Sequence, residues 1–143
     1  MEEKSLGAIV KTGSRPIRSL LGFAQSPSSN GLHVMDGPSF SPESLTGFVA
    51  SGTQMALFTT GPGNSFCGLL APTVKITANP DAAKRLVEQI DFDASAVFRA
   101  EETLDEAADR LFAKILDIAS GSLSWGEITG EGAESFTRLG PSL

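Results

Sequence analysis

Two short apolar runs, Met55–Phe58 and Val74–Thr77, stand on either side of a glycine-rich turn, Thr59-Thr60-Gly61-Pro62-Gly63-Asn64. The first run is continuously apolar, which fits a strand covered on both faces. The second carries one charge, Lys75. A strand that ends in hydroxyls and glycines offers backbone N–H groups to whatever lies beyond its carboxyl end, where α/β sheets collect anionic ligands. The turn is not a P-loop, because no Gly-Lys-Ser/Thr follows it. Nor is it Gly-x-Gly-x-x-Gly, although Gly61, Gly63 and Gly68 approach that spacing. The amides of Gly61, Gly63 and Asn64 can converge with the Thr59 and Thr60 hydroxyls on a carboxylate or on ligand hydroxyls. Pro62 withholds one donor from that cradle. The alternative is a tight strand-to-loop turn that binds nothing.

The remaining pattern alternates strand and helix. Leu6–Val10 reads as a short strand, and Ser14-Arg15-Pro16 opens a short helix through Ile17, Leu20 and Leu21. After a turn-rich loop at Gln25–Gly31, Leu32–Met35 reads as a strand. Ser41-Pro42-Glu43 has the cap, first-turn proline and first-turn acid of a helix start; Leu45, Phe48 and Val49 then face inward and Gly52 ends the helix. Asn79-Pro80-Asp81 repeats that start, with Leu86, Val87 and Ile90 inward. The helix from Thr103 to Ser120 has a Thr103/Glu106 capping box, an apolar stripe through Leu104, Ala107, Ala108, Leu111, Ile115 and Ile118, and Gly121 after it. The Gly/Ser-rich chain from Ser122, with Trp125, Ile128 and Phe136, reads as irregular structure. Strands alternating with helices imply an α/β fold, a layered and mostly parallel sheet with flanking helices in the Rossmann-like manner. We expect one domain over 1–143: an N-terminal segment at 1–30, a βα core at 31–121 and an irregular tail at 122–143.

Composition narrows the function. The 143 residues are 41% apolar and 20% charged, a globular balance long enough for a core. A net charge of −6 without basic clusters argues against nucleic acid. The single Cys67 excludes an internal disulfide, and with the single His33 it leaves no zinc site of Cys/His type within this chain. No apolar stretch approaches the about 20 residues that span a bilayer, and Met1–Ser5 lacks a signal-peptide pattern, so a cytoplasmic protein is expected.

Other candidates each have a bland counterpart. Lys75 can neutralise a carboxylate or act as a base, or it can belong to an edge strand with its ammonium in water. Asp36 follows a strand, where ligand groups collect, yet aspartate before Gly37-Pro38 is also an ordinary turn residue. Lys4, Ser5 and Lys11 can form a cationic lip or a solvated N-terminal segment. His33 reads as structural, Cys67 as a small buried residue, and Asp91 and Asp93 as loop carboxylates. No catalytic residue is identified.

Six segments in order resemble one family: Glu2-Glu3-Lys4-Ser5-Leu6-Gly7, the stretch around Lys11, Ala50-Ser51-Gly52, Phe58-Thr59-Thr60-Gly61-Pro62-Gly63, Pro72-Thr73-Val74-Lys75-Ile76, and Ile118-Ala119-Ser120-Gly121. Together they resemble the C-terminal portion of the altronate/galactarate dehydratases, sugar-acid hydro-lyases, from about Glu2 to the end of the chain. The resemblance implies dehydration of a hexonate or hexarate. A proton leaves the carbon beside a carboxylate, hydroxide leaves the next carbon, and the enol becomes a 2-keto-3-deoxy acid. It also implies a divalent metal, Fe²⁺ or Mn²⁺, as a Lewis acid in the complete enzyme, and a related branch is a sulfolactate sulfo-lyase. This chain departs from the family at Pro62, where arginine is usual, and at Thr12 and Cys67, where glycine is common. Full-length members carry a small N-terminal domain and a long central region besides. The expectation is therefore a C-terminal domain or split subunit, inactive alone, that holds no metal itself. It would supply sugar-acid-binding groups (Thr59, Thr60, Gly61, Gly63, Asn64, Lys75, Asp36 and Lys4) to a site completed by the remaining domains or subunit. Association with further copies of itself stays open. The competing expectation is a non-catalytic ligand-binding, regulatory or docking domain.

Overall fold

The computed structural model describes residues 2–135, with side chains from Ser5 onward. Phe136 lies outside the described residues. The fold is α/β with parallel pairing throughout the described strands, as the alternating pattern implies. The strands form two short sheets rather than one. The chain divides into two compact units between Thr53 and Gln54. Glu134 and Ser135 return to the first unit, where the Thr46 hydroxyl meets both the Glu134 carboxylate and the Ser135 amide.

The first unit begins with helix α1 (Glu2–Val10). The strand expected over Leu6–Val10 is thus overturned: Leu6 and Ala8 are good helix formers, and acids occupy the first turn. The Thr12 hydroxyl closes the helix by donating to the Ile9 carbonyl. The helix expected after Pro16 is instead strand β1 (Ile17–Leu21), paired in parallel with β2 (Leu32–Met35). Its three-and-four apolar spacing was ambiguous, and pairing with β2 decided it. Helix α2 (Ser41–Ala50) starts one residue early, with Phe40 rather than Ser41 at the cap position. Leu45 is buried as expected, but Phe48 is exposed, while Gly52 takes φ +102° just past the helix.

In the second unit, β3 (Ala56–Thr59), β4 (Thr73–Thr77) and β5 (Phe92–Asp93) make a parallel sheet with β4 central. Central placement buries every residue of β4 but the half-buried Ile76. β3 is the edge, so Leu57 is 49% exposed and the expected double coverage fails there. Helix α3 (Pro80–Arg85) links β4 to β5 and is capped by the Asn79 side chain on the Asp81 and Ala82 amides. It stops when Leu86 leaves helical geometry, which turns Val87 outward. A short helix α4 (Ser95–Phe98) precedes α5 (Leu104–Ala119), which has the full Thr103/Glu106 capping box. The expected stripe splits: Ala107 and Ile118 are buried and Leu111 and Ile115 half-buried, whereas Leu104 and Ala108 are exposed. The chain from Ser122 is not wholly irregular. Ser124 and Glu127 make a second capping box that starts α6 (Trp125–Thr129), ended by Gly130 in the left-handed conformation.

Two predictions follow from this packing. Acceptance of the Thr103 backbone N–H holds the Glu106 carboxyl below its ordinary value, so its contribution is present above that value and lost as pH falls through the lowered one. Thr103→Ala should lower the melting temperature by several degrees at neutral pH, with a smaller difference in acid once Glu106 is protonated. A methyl on Gly126 of α6 would meet the Cys67 Sγ at 2.5 Å and Cβ at 2.9 Å. Gly126→Ala should therefore destabilise by about 1–3 kcal/mol, and Cys67→Gly in the same chain should recover much of that in chemical unfolding.

Candidate functional site

The glycine-rich turn lies at the carboxyl end of β3, beside the carboxyl end of β4. The Thr60 amide donates to the Ile76 carbonyl, so the turn leaves the sheet at that edge. The Thr60 hydroxyl then accepts from the Gly63 amide at 3.2 Å, and the Asn64 Oδ1 accepts from the Phe66 amide at 2.9 Å. The expected cradle is thereby reduced. The Gly63 N–H is engaged inside the turn, while the Gly61 and Asn64 amides make no hydrogen bond among the described residues. Thr59 and Gly61 are exposed, and Thr60 is half-buried with its hydroxyl hydrogen free to point outward.

Gly63 is favoured by its conformation, and the Leu86 side chain packs where a Cβ would be. The Gly63 φ is +101°, and a Cβ there would lie 2.1 Å from the Leu86 Cδ1 and 3.3 Å from the Gln89 Oε1. The end of α3 is thus seated directly on the turn. From it, the Arg85 Nη2 donates to the Pro62 carbonyl at 3.2 Å.

Lys75 is on the central strand, not an edge, and is fully buried at 0% exposure. Its ammonium donates to the Ser65 carbonyl at 2.5 Å and lies 3.8 Å from the Glu131 carboxylate. Burial pushes its pKa below the ordinary lysine value, opposed by the nearby Cys67, Glu131 and Asp91. Burial likewise pushes the Cys67 thiol up, opposed by Lys75. A thiol in that state is a packing group and not a nucleophile. Asp91 does more than a loop carboxylate: one oxygen accepts from the Lys75 amide at 2.8 Å and the other from the Trp125 amide at 2.7 Å. It thereby ties α6 to β4. The Cys67–Gly132 bridge and the Ala133 amide on the Cys67 carbonyl bring Glu131 over the same spot.

Asp36 and Lys4 belong to the first unit. Asp36 is exposed, donates its amide to the Leu21 carbonyl, and lines a largely apolar cavity of about 540 Å³ with Ile9, Leu20, Phe23, Met35 and Phe48. Lys4 lies in α1, and its side chain is outside the described residues. His33 has both ring nitrogens engaged, Nε2 donating to the Ser29 carbonyl and Nδ1 accepting from the Ser19 hydroxyl. Sequence reasoning missed Arg85, Asp91 and Glu131. Their partners are 23, 16 and 56 residues away, and no local pattern signals such contacts.

Among the described residues no three His, Cys, Asp or Glu side chains gather as a metal-binding group. The divalent metal that the resemblance implies finds no donor set among the described residues. No described helix is long and apolar enough to cross a membrane.

The family model for "D-galactarate/Altronate dehydratase, C-terminal" matches residues 1–142. The chain belongs to this family. It is 38% identical over 140 residues to the (2R)-sulfolactate sulfo-lyase subunit beta of Chromohalobacter salexigens, covering 97% of this chain and 36% of that protein. Galactarate dehydratase (L-threo-forming) of Escherichia coli is 35% identical over 119 residues, 83% of this chain and 23% of the relative. Altronate dehydratase of Bacillus subtilis is 29% identical over 123 residues, 86% of this chain and 24% of the relative. The chain thus spans roughly a quarter to a third of the length of the curated relatives it matches.

The burial pattern sets the order of two substitutions. Lys75→Met leaves Glu131, whose side chain is 39% exposed and stays hydrated, whereas Glu131→Gln leaves an ammonium buried with weaker compensation. Glu131→Gln should be the more destabilising in urea unfolding. Because the Lys75 pKa is lowered on folding, the folded chain sheds that proton first. The stability of wild type relative to Lys75→Met should therefore rise with pH, up to the ordinary lysine value of 10.5.

Proposed function

We propose that this chain is the C-terminal, sugar-acid-binding part of a carbon–oxygen lyase, acting within a larger cytoplasmic enzyme. The observation that carries this reading is the turn after β3. Gly61, Asn64, Thr59 and Thr60 lie there at the carboxyl edge of a parallel sheet, in a chain of the dehydratase family, and their amides and hydroxyls are the groups this reading assigns to the ligand. Galactarate and altronate, named in the relatives' activities, each offer a carboxylate to such amides and a row of hydroxyls to such threonines.

The proposed reaction is an elimination. The bond to hydrogen breaks at the carbon beside the carboxylate, its electrons form the carbon–carbon double bond, and hydroxide departs from the adjacent carbon. The resulting enol tautomerises to a 2-keto-3-deoxy acid. The part assigned to this chain is to hold and orient the carboxylate, since negative charge spreads onto it as the proton leaves. Lys75 is not offered as the base, because its ammonium is buried and held by Ser65 and Glu131. The base, and the Fe²⁺ or Mn²⁺ that the resemblance implies, are assigned to the portion of the enzyme beyond this match.

A second reading is favoured by the identity of 38% to the sulfo-lyase subunit, which extends over 97% of the chain. There the leaving group is sulfite instead of hydroxide, and the carboxylate-holding role is unchanged. A thermal-shift panel of galactarate, altronate and sulfolactate tests both readings. Binding stabilises by about 2.7 kcal/mol at a hundredfold excess over Kd, so the true substrate class should raise the melting temperature measurably. The isolated chain should turn over none of the three. A flat response to the whole panel would favour a docking domain, and turnover by the chain alone would refute a divided site.

A further inference from the structure

The turn after β3 has amides and hydroxyls but no charge of its own. The sequence offers Lys75 as the cation for a bound carboxylate. The structure removes that choice, because the ammonium is buried and already opposed by Ser65 and Glu131. The cation that does reach the turn is Arg85. Its position is set by packing: α3 ends at Arg85, the next residue, Leu86, presses on Gly63, and Gln89 follows it there. One guanidinium nitrogen donates to the Pro62 carbonyl, in the middle of the turn. The side chain is otherwise exposed, and no carboxylate of the described residues pairs with it. A guanidinium has five N–H donors and stays charged at any working pH, so one bond to Pro62 leaves a fork still available.

We infer that Arg85 is the carboxylate-binding cation of this turn. Its contact with the Pro62 carbonyl holds the guanidinium on the turn that carries Gly61 and Asn64. A ligand carboxylate resting on their amides receives charge-assisted hydrogen bonds from the free edge of the guanidinium. The contact also biases the guanidinium toward the turn before the ligand arrives, which lowers the ordering cost of binding. Lys84, the preceding residue, is exposed and makes no hydrogen bond to the turn among the described residues, so it supplies a control of equal charge. This assignment rests on the sugar-acid reading above and adds the residue that would discriminate acids from neutral polyols.

The test is calorimetric titration of the full chain with galactarate and with the neutral hexitol galactitol. Wild type should bind galactarate and not galactitol. Arg85→Gln should weaken galactarate binding about tenfold or more, as expected for loss of a charged hydrogen-bond donor pair. Arg85→Lys should fall between the two, because an ammonium keeps the charge without the fork. Lys84→Gln should bind within about twofold of wild type, showing that net charge alone is not the cause. The Arg85 variants should keep the wild-type circular dichroism spectrum, since the side chain is exposed. Equal galactarate affinity in wild type and Arg85→Gln would overturn the assignment while leaving the sugar-acid reading intact. Equal loss in Lys84→Gln would also overturn it, by assigning the effect to general charge. Failure of wild type itself to bind galactarate, altronate or sulfolactate would remove the underlying reading and this assignment with it.

Discussion

A buried ammonium organises the second unit. Lys75 sits at the centre of β4 with 0% exposure, and an unpaired charge there would cost several kcal/mol. The chain answers with the Ser65 carbonyl from the loop after the turn and the Glu131 carboxylate from the chain after α6. Those two segments are far apart in sequence and are joined by this group together with the Cys67–Gly132 bridge and the Ala133 amide on the Cys67 carbonyl. Asp91 works alongside it, binding the backbone amides of Lys75 and Trp125. The loop, the central strand and α6 are thus joined by charge-assisted contacts over a small apolar core.

That arrangement changes which residues can meet a ligand. A lysine that compensates its own burial inside the fold is not available outside it, and the positive charge near the turn comes from α3 instead. Gly63 is the hinge of this exchange. Without a Cβ at Gly63, Leu86 packs against the turn, and its neighbour Arg85 donates to the Pro62 carbonyl. The proposed anionic, hydroxylated ligand fits the family and the turn's chemistry, and because the chain spans only 36% and 23% of two of its relatives, the proposal assigns the reacting groups to the rest of a larger enzyme.

Much of the second unit was legible in advance. The Asn79 cap, the Thr103/Glu106 box and the β3–turn–β4 order all depend on neighbours within a few residues, where pattern and physics coincide. The misread elements share a cause. Ile17, Leu20 and Leu21 fit either period, and the parallel partner β2 decided for a strand. Leu6–Val10 is apolar enough for a strand, but without a pairing partner its helix-forming residues won. At Ser124 the signal was present, a Ser with Glu three residues on, and was hidden by the surrounding glycines and serines.

By itself the sequence determined the α/β class, the location of the turn and the family, because these follow from local periodicity, glycine and proline chemistry and ordered short motifs. Tertiary structure alone decided that the strands form two sheets, that Lys75 is buried and that Arg85 reaches the turn. The physical reason is that burial and long-range pairing are properties of what packs against a residue. Lys75 has the same apolar neighbours in sequence whether its strand is central or at an edge, and only the presence of β5 on its other side separates the two.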